Sequence, residues 1–95
     1  MGNYKLSKAA KEDLIRIHQY GVQKFGETQA DNYFNQFFER FELMAERPLA
    51  FESVDFIKPG YRRCVCGVDS IFYRIQKEKV EIMAIVGRQD LSLIF

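Results

Sequence analysis

The stretch YRRCVCGVDSIFYRIQKEKVEIMAIV, residues 61–86, decides the fold. Pro59-Gly60 opens it as a turn, and the run from Tyr61 to Cys66 is short and compatible with a strand. Gly67-Val68-Asp69 supplies a tight turn. Residues 70–76 are rich in β-branched and aromatic side chains, which suit a pleated, half-buried surface. Lys77-Glu78-Lys79 reads as a polar hairpin connection. Residues 80–86 are apolar at nearly every position except Glu81, the pattern of a central strand covered on both faces. Three strands joined by short connections must run antiparallel, because a parallel pair needs a long crossover.

Upstream of this stretch the period changes from two to 3.6. Ser7 is a favourable N-cap, and no proline interrupts the sequence from Lys8 to Phe25. Ala10, Leu14, Ile17 and Gly21 recur at helical spacing, with Lys11, Glu12, Asp13 and Arg16 on the opposite side. Phe25-Gly26-Glu27-Thr28 reads as a stop and restart, with Gly26 ending one helix and Thr28 capping the next. The second helix runs to about Arg47, where Pro48 bars continuation. Its stripe of Ala30, Tyr33, Phe34, Phe37, Phe38, Phe41, Met44 and Ala45 is wide and aromatic, and needs a large apolar partner surface. A loop of about three residues forces the two helices into an antiparallel hairpin. Tyr4-Lys5-Leu6 reads as a first short strand, and residues 48–60 as a long connection packed by Leu49, Phe51, Phe56 and Ile57. The expected fold class is therefore α+β, in the order β-α-α-β-β-β, with the helix hairpin on one face of a small antiparallel sheet. The other face and the edges are left for a partner.

The 95 residues hold one domain, spanning 1–95, with no linker, repeat or low-complexity segment. An apolar fraction of 47% is normal for a globular chain and argues against wholesale disorder. No window is long and apolar enough for a membrane span. The N-terminus carries neither a secretory h-region nor a myristoylation pattern. With two cysteines and no export signal, a cytoplasmic location with reduced thiols is expected. A net charge of +1 argues against a generic nucleic-acid binder. That sum hides a polarity. Residues 1–56 hold 7 basic and 9 acidic side chains, whereas residues 57–95 hold 7 basic and 4 acidic.

Four constellations bear on chemistry. Cys64-x-Cys66 places two thiols on one strand face, but a zinc site needs two more ligands and the only histidine is His18, on a helix. The pair reads as small apolar filler, and no metal or cofactor is expected. His18 has no nucleophile or Ser/Gly elbow to serve and reads as a half-buried helix residue. Arg62, Arg63, Arg74 and Arg88 carry the positive charge of the strand half, and guanidinium forks suit carboxylates and phosphates. Alternation puts Arg62 and Arg63 on opposite faces, so one ligand cannot meet both. Finally, Leu91-Ser92-Leu93-Ile94-Phe95 is apolar, and reads as folded back on the core or presented as a recognition element.

The order of these pieces resembles a known family. Tyr4-x-Leu6-Ser7-x-x-Ala10-x-x-Asp13-Leu14-x-x-Ile17, then Tyr20, Phe25-Gly26 and Gln29-Ala30-x-x-Tyr33, are similar to the start of ParE-type toxins of bacterial toxin–antitoxin modules. Phe41, Ala45, Pro48, Gly60-Tyr61-Arg62, Ile71-Phe72-Tyr73-Arg74 and the stretch from Ile82 to Asp90 continue in register. The resemblance implies the RelE/ParE fold. RelE-like members cleave mRNA on the ribosome with converging basic residues and a C-terminal tyrosine. Here Cys64 falls at a basic position, Ser70 near an arginine position, and no tyrosine follows Arg88. ParE-like members resemble non-nucleolytic inhibitors of DNA gyrase. The resemblance therefore implies a toxin that is not an enzyme, with gyrase as target and a ParD-like antitoxin as protein partner. No sequence-specific nucleic acid contact and no membrane partner are implied. It places antitoxin contacts at Arg62, Arg63, Arg74, Arg88, Leu14 and Tyr73, and target contacts at Arg88, Leu91, Leu93 and Phe95. A ribosome-dependent mRNA endonuclease using Arg62, Arg74 and Arg88, or a non-toxic antitoxin-binding module, are the alternatives.

Overall fold

The computed structural model describes residues 3–87. Its elements are β1 (Tyr4–Leu6), α1 (Lys8–Phe25), α2 (Glu27–Glu46), β2 (Glu52–Ser53), β3 (Tyr61–Cys66), β4 (Asp69–Gln76) and β5 (Lys79–Val86). The sheet order is β1-β5-β4-β3-β2. The three long strands form the expected antiparallel meander, so β4 is the middle strand and β5 is interior.

The sheet departs from the expectation at both edges. β1 pairs with β5 in parallel, Tyr4 opposite Val80 and Leu6 opposite Ile82, so the sheet is mixed rather than purely antiparallel. The helix hairpin is the crossover that makes this parallel pairing possible. At the other edge, Glu52 and Ser53 pair with Arg63 and Arg62, so the 48–60 connection contains a strand that its sequence does not announce.

The helix ends follow from the local chemistry with one difference. The Ser7 hydroxyl accepts from the Ala10 N–H at 3.0 Å, as an N-cap should. Thr28, however, lies inside α2 and caps nothing. Gly26 closes α1, its N–H donating to the Val22 carbonyl at 3.1 Å, and also opens α2. At φ +91° it takes a conformation that L side chains rarely adopt, which lets one residue replace the expected three-residue loop. Between β4 and β5 the turn narrows to Lys77 and Glu78, both at positive φ (50° and 64°), the hand that two-residue hairpin turns require.

The main core lies between hairpin and sheet. Ala10, Leu14 and Ile17 of α1 and Phe37, Phe41 and Met44 of α2 meet Cys64, Cys66, Ile71, Tyr73, Val80, Ile82 and Ile85. A bulge in β5 between the partners of Phe72 and Tyr73 keeps both Ile82 and Ile85 on this face, although they are three residues apart. A second cluster joins Val54, Tyr61, Phe72 and Val86, with Ile57, Met83 and Ala84 packed against it. It contains no helix residue and lies on the opposite face of the sheet. The face expected to stand open is therefore already partly covered, by the loop that leads from β2 to β3.

Candidate functional site

The arginines expected to meet an anionic partner are held apart. Arg62 points to the hairpin side, where its Nη1 donates to the Phe51 carbonyl at 2.7 Å. Arg63 points to the helix-free side, where its Nε donates to Glu52 Oε1 at 2.6 Å. Arg74 shares that side, its Nε 2.8 Å from Glu81 Oε1, with Lys5 Nζ 3.7 Å from Glu81 Oε2. The alternation argument thus holds for Arg62 and Arg63. Arg63 and Arg74 have carboxylate partners of their own, so a ligand must compete with Glu52 and Glu81.

Leu14 is a core residue, 4% exposed, and Tyr73 is fully buried. The Tyr73 hydroxyl donates to the Pro48 carbonyl at 2.7 Å, tying the end of α2 to the middle strand. Burial pushes its pKa up to about 12, although the nearby Arg62 charge pulls the other way. Arg88, Leu91, Leu93 and Phe95 lie outside the described residues. Both cysteines are buried on the hairpin side and unbridged. Burial raises the pKa of each thiol, more than the neighbouring Arg40 guanidinium lowers it, so they are poor nucleophiles. His18 Nε2 lies 2.7 Å from Asp31 Oδ1, linking α1 to α2 with its ring against the edge of Phe34. Among the described residues, no group of three or more His, Cys, Asp and Glu side chains converges to hold a metal. No helix there is long and apolar enough to cross a membrane.

A groove of about 960 Å³ opens at the connected ends of the two helices. α1 lends it Arg16, Ile17, Tyr20 and Phe25, α2 lends Ala30 and Tyr33, and the β3–β4 turn lends Val68 and Asp69. Tyr20, Phe25 and Val68 are each more than half exposed, so it is an apolar surface in contact with water. Its depth depends on two small residues: a Cβ on Gly21 would come within 3.3 Å of the Ala30 Cβ, so the helices cross closely here.

Tyr33 and Asp69 form the polar wall of this groove. The Tyr33 hydroxyl lies 2.6 Å from Asp69 Oδ2 and 2.8 Å from the Cys66 carbonyl, and accepts from the Val68 N–H at 3.3 Å. Asp69 is only 7% exposed, so this bond answers the desolvation of its carboxylate. Burial, then the bond to Asp69, raises the Tyr33 pKa well above its ordinary value. The ring lies so close to Gly67 that a Cβ there would sit 2.5 Å from it. The sequence reading took Gly67-Val68-Asp69 only as a turn. Its association with a tyrosine 36 positions from Asp69 depends on how α2 docks, which no local pattern reveals.

The arrangement offers an apolar groove and separated, partnered cations rather than a cluster around a scissile bond. Comparison with known proteins agrees with the fold. The sequence profile of the family described as "ParE toxin of type II toxin-antitoxin system, parDE" matches residues 4–91. Toxin ParE1 of Caulobacter vibrioides is 36% identical over 86 residues, covering 90% of this chain and 88% of that protein. Toxin ParE1 of Mycobacterium tuberculosis is 32% identical over 75 residues, covering 79% of this chain and 76% of that protein. Among solved structures, a chain of the chromosomal ParDE toxin–antitoxin system from P. aeruginosa superposes with a TM-score of 0.81 at 19% identity, covering 94% of this chain and 98% of its own. A chain of the RelBE2 toxin–antitoxin complex from Mycobacterium tuberculosis superposes with a TM-score of 0.60 at 18% identity, covering 92% and 98%. The fold order, the register of the motifs and the profile match over nearly the whole length agree, and the chain belongs to the ParE toxin family of type II toxin–antitoxin systems.

Proposed function

We propose that this ParE-family toxin acts in the cytoplasm as a non-nucleolytic inhibitor of DNA gyrase and is neutralised by a ParD-like antitoxin. The observation that carries the non-nucleolytic reading is the divergence of the strand arginines. Cleaving a phosphodiester needs several cations and a proton-transfer group converging on one phosphate. Here Arg62 serves a backbone carbonyl on one face, Arg63 and Arg74 serve carboxylates on the other, and a buried Cys64 lies between them in sequence. A toxin without a reaction centre works by occupying a surface of its target. Arg88, Leu91, Leu93 and Phe95 supply the apolar and cationic contacts for that role.

The antitoxin reading rests on the groove and the arginines together. An amphipathic segment lays its apolar face against Tyr20, Phe25 and Val68 on the hairpin side, and acidic residues further along it pass round the sheet to compete for Arg63 and Arg74 on the other face and for Arg88. Arg62, Leu14 and Tyr73 act from beneath, by holding the strands and the hairpin on which that surface is built. Purified protein added to gyrase supercoiling reactions tests the proposal. Inhibition with accumulation of cleaved DNA, reversed by the cognate antitoxin, is the expected outcome. Unimpaired supercoiling at excess toxin, together with codon-specific cuts in translated mRNA by primer extension, would replace it with the ribonuclease reading.

A further inference from the structure

Phe56 is 84% exposed, more than any other large apolar side chain among the described residues. A single exposed ring is ordinary on a protein surface; this one stands on a braced turn. The loop of residues 54–60 is closed by the Val54 N–H donating to the Tyr61 carbonyl at 2.8 Å, and by the Tyr61 N–H donating to the Lys58 carbonyl at 3.1 Å. Within it, the Ile57 N–H donates to the Val54 carbonyl at 2.8 Å and the Gly60 N–H to Asp55 Oδ1 at 2.6 Å. Val54, Ile57 and Tyr61 turn into the second cluster. The loop is therefore ordered before any partner arrives, and binding the ring costs little further backbone entropy. The charges at this end of the sheet are also unevenly used. Tyr61 pairs with Arg74 and Gln76 with Lys79, so the loop and the β4–β5 turn leave the sheet at the same end. β3 and β5 lie two strand spacings apart there, about 10 Å. Asp55 holds Gly60, and Glu81 holds Arg74 and Lys5, so these acids serve the fold. Lys77 and Lys79 are exposed and enter no ion pair among the described residues, with Glu78 as the one carboxylate between them.

We propose that this end of the sheet meets the protein that the toxin inhibits, with Phe56 entering an apolar pocket whose acidic rim faces Lys77 and Lys79. The inference rests on the reading of the chain as a toxin that acts by occupying its target, and gives that reading an anchor residue. The shape of the contact selects the partner. A rigid ring that protrudes needs a concave receiver, which the surface of a folded protein offers. An antitoxin segment laid along the toxin is itself the inserted element and has no pocket to lend. The groove assigned to the antitoxin also lies elsewhere. Val68 and Asp69 follow the end of β3, whereas the loop precedes its start, about 17 Å away along the strand. The two unpaired lysines fix the charge of the receiver, because an acidic rim is attracted to them and a basic one repelled.

Phe56→Ser tests the anchor, because so exposed a side chain adds little to the core. Induced in cells, the full-length variant should arrest growth far less than the parent. With purified protein, the concentration that halves gyrase supercoiling should rise at least tenfold. Circular dichroism, melting temperature and capture of the co-expressed cognate antitoxin should match the parent. Phe56→Leu keeps an apolar anchor and should retain most of the effect. Lys77→Glu with Lys79→Glu should weaken inhibition several-fold, whereas arginine at both positions should not. A Phe56→Ser protein that folds and stays as toxic as the parent overturns the inference. So does a loss of toxicity matched by an equal loss of antitoxin capture, which assigns the loop to the antitoxin. A parent chain that arrests growth yet leaves supercoiling intact refutes gyrase as the target alone, and the growth readout then decides on Phe56. A parent chain that arrests nothing refutes the inhibitor reading itself, and this surface with it.

Discussion

At the scale of single residues, the tightest constraint is the contact between Tyr33 and Gly67. The turn after β3 needs φ near +60° at Gly67, and the Tyr33 ring fills the space where a side chain would begin. Both demands come from one bond network, because the same tyrosine hydroxyl holds Asp69, the Cys66 carbonyl and the Val68 N–H. Gly67→Ala therefore meets a left-handed backbone penalty of about 1–2 kcal/mol and an overpacking cost of about 1–3 kcal/mol. Thermal melting should show a fall of roughly 2–5 kcal/mol in stability. Because the displaced ring also lines the groove, antitoxin affinity should fall as well. A variant that melts like the parent would show that the turn tolerates a side chain and that Tyr33 is not held there.

At the scale of elements, the edge of β5 beyond β1 is closed, among the described residues, by side chains rather than by a strand. β1 covers only Val80 to Ile82. Beyond it, Ser7 Oγ donates to the Met83 carbonyl at 3.0 Å, the Ile85 N–H donates to Asp13 Oδ2 at 3.0 Å, and Arg16 Nη2 lies 3.4 Å from the Ile85 carbonyl. This capping keeps α1 docked and denies the edge to other chains. Asp13→Ala leaves the Ile85 N–H without its acceptor, which costs about 1–3 kcal/mol, while Asp13→Asn keeps an oxygen there and retains most of that. Melting temperatures should rank parent, Asn, Ala, and an Ala variant as stable as the parent would refute the role. The sequence reading placed Asp13 on the solvent side of α1, because its partner lies 72 residues away and periodicity sees only neighbours. The same limit separates what was legible elsewhere. Ser7, Gly26 and Pro48 fix helix ends through their own chemistry, so α1 and most of α2 were readable. Thr28 resembled a cap because its hydroxyl suits one, yet Gly26 makes both helix ends itself. The parallel direction of β1 and the two-residue β2 leave no periodic trace. In the candidate site, the opposite facing of Arg62 and Arg63 follows from alternation, but the groove exists only once α2 meets the β3–β4 turn.

At the scale of the whole molecule, the charge polarity between helix half and strand half must be weighed against local pairing. The strand half carries the positive excess, but on the helix-free face Arg63 is matched by Glu52, and Arg74 with Lys5 by Glu81. The field that reaches solvent is therefore weaker than the residue count implies. A long-range field acts on encounter, whereas close pairs act on dissociation. Glu52 is half exposed and pairs only with Arg63 among the ion pairs here, so Glu52→Gln removes one negative charge and frees a guanidinium without opening a core. An exposed pair of this kind contributes about 0–1 kcal/mol, so folding stability should barely change. If an acidic antitoxin segment approaches this face, its association rate should rise several-fold at low salt. The dissociation rate should change less, because the guanidinium gains a partner only after contact. The gain should vanish near 1 M salt, where the screening length falls to about 3 Å. Stopped-flow association measured across ionic strength separates the two terms. An association rate that Glu52→Gln leaves unaltered at low salt would mean that the arginines of this face hold the strands together and do not steer the partner.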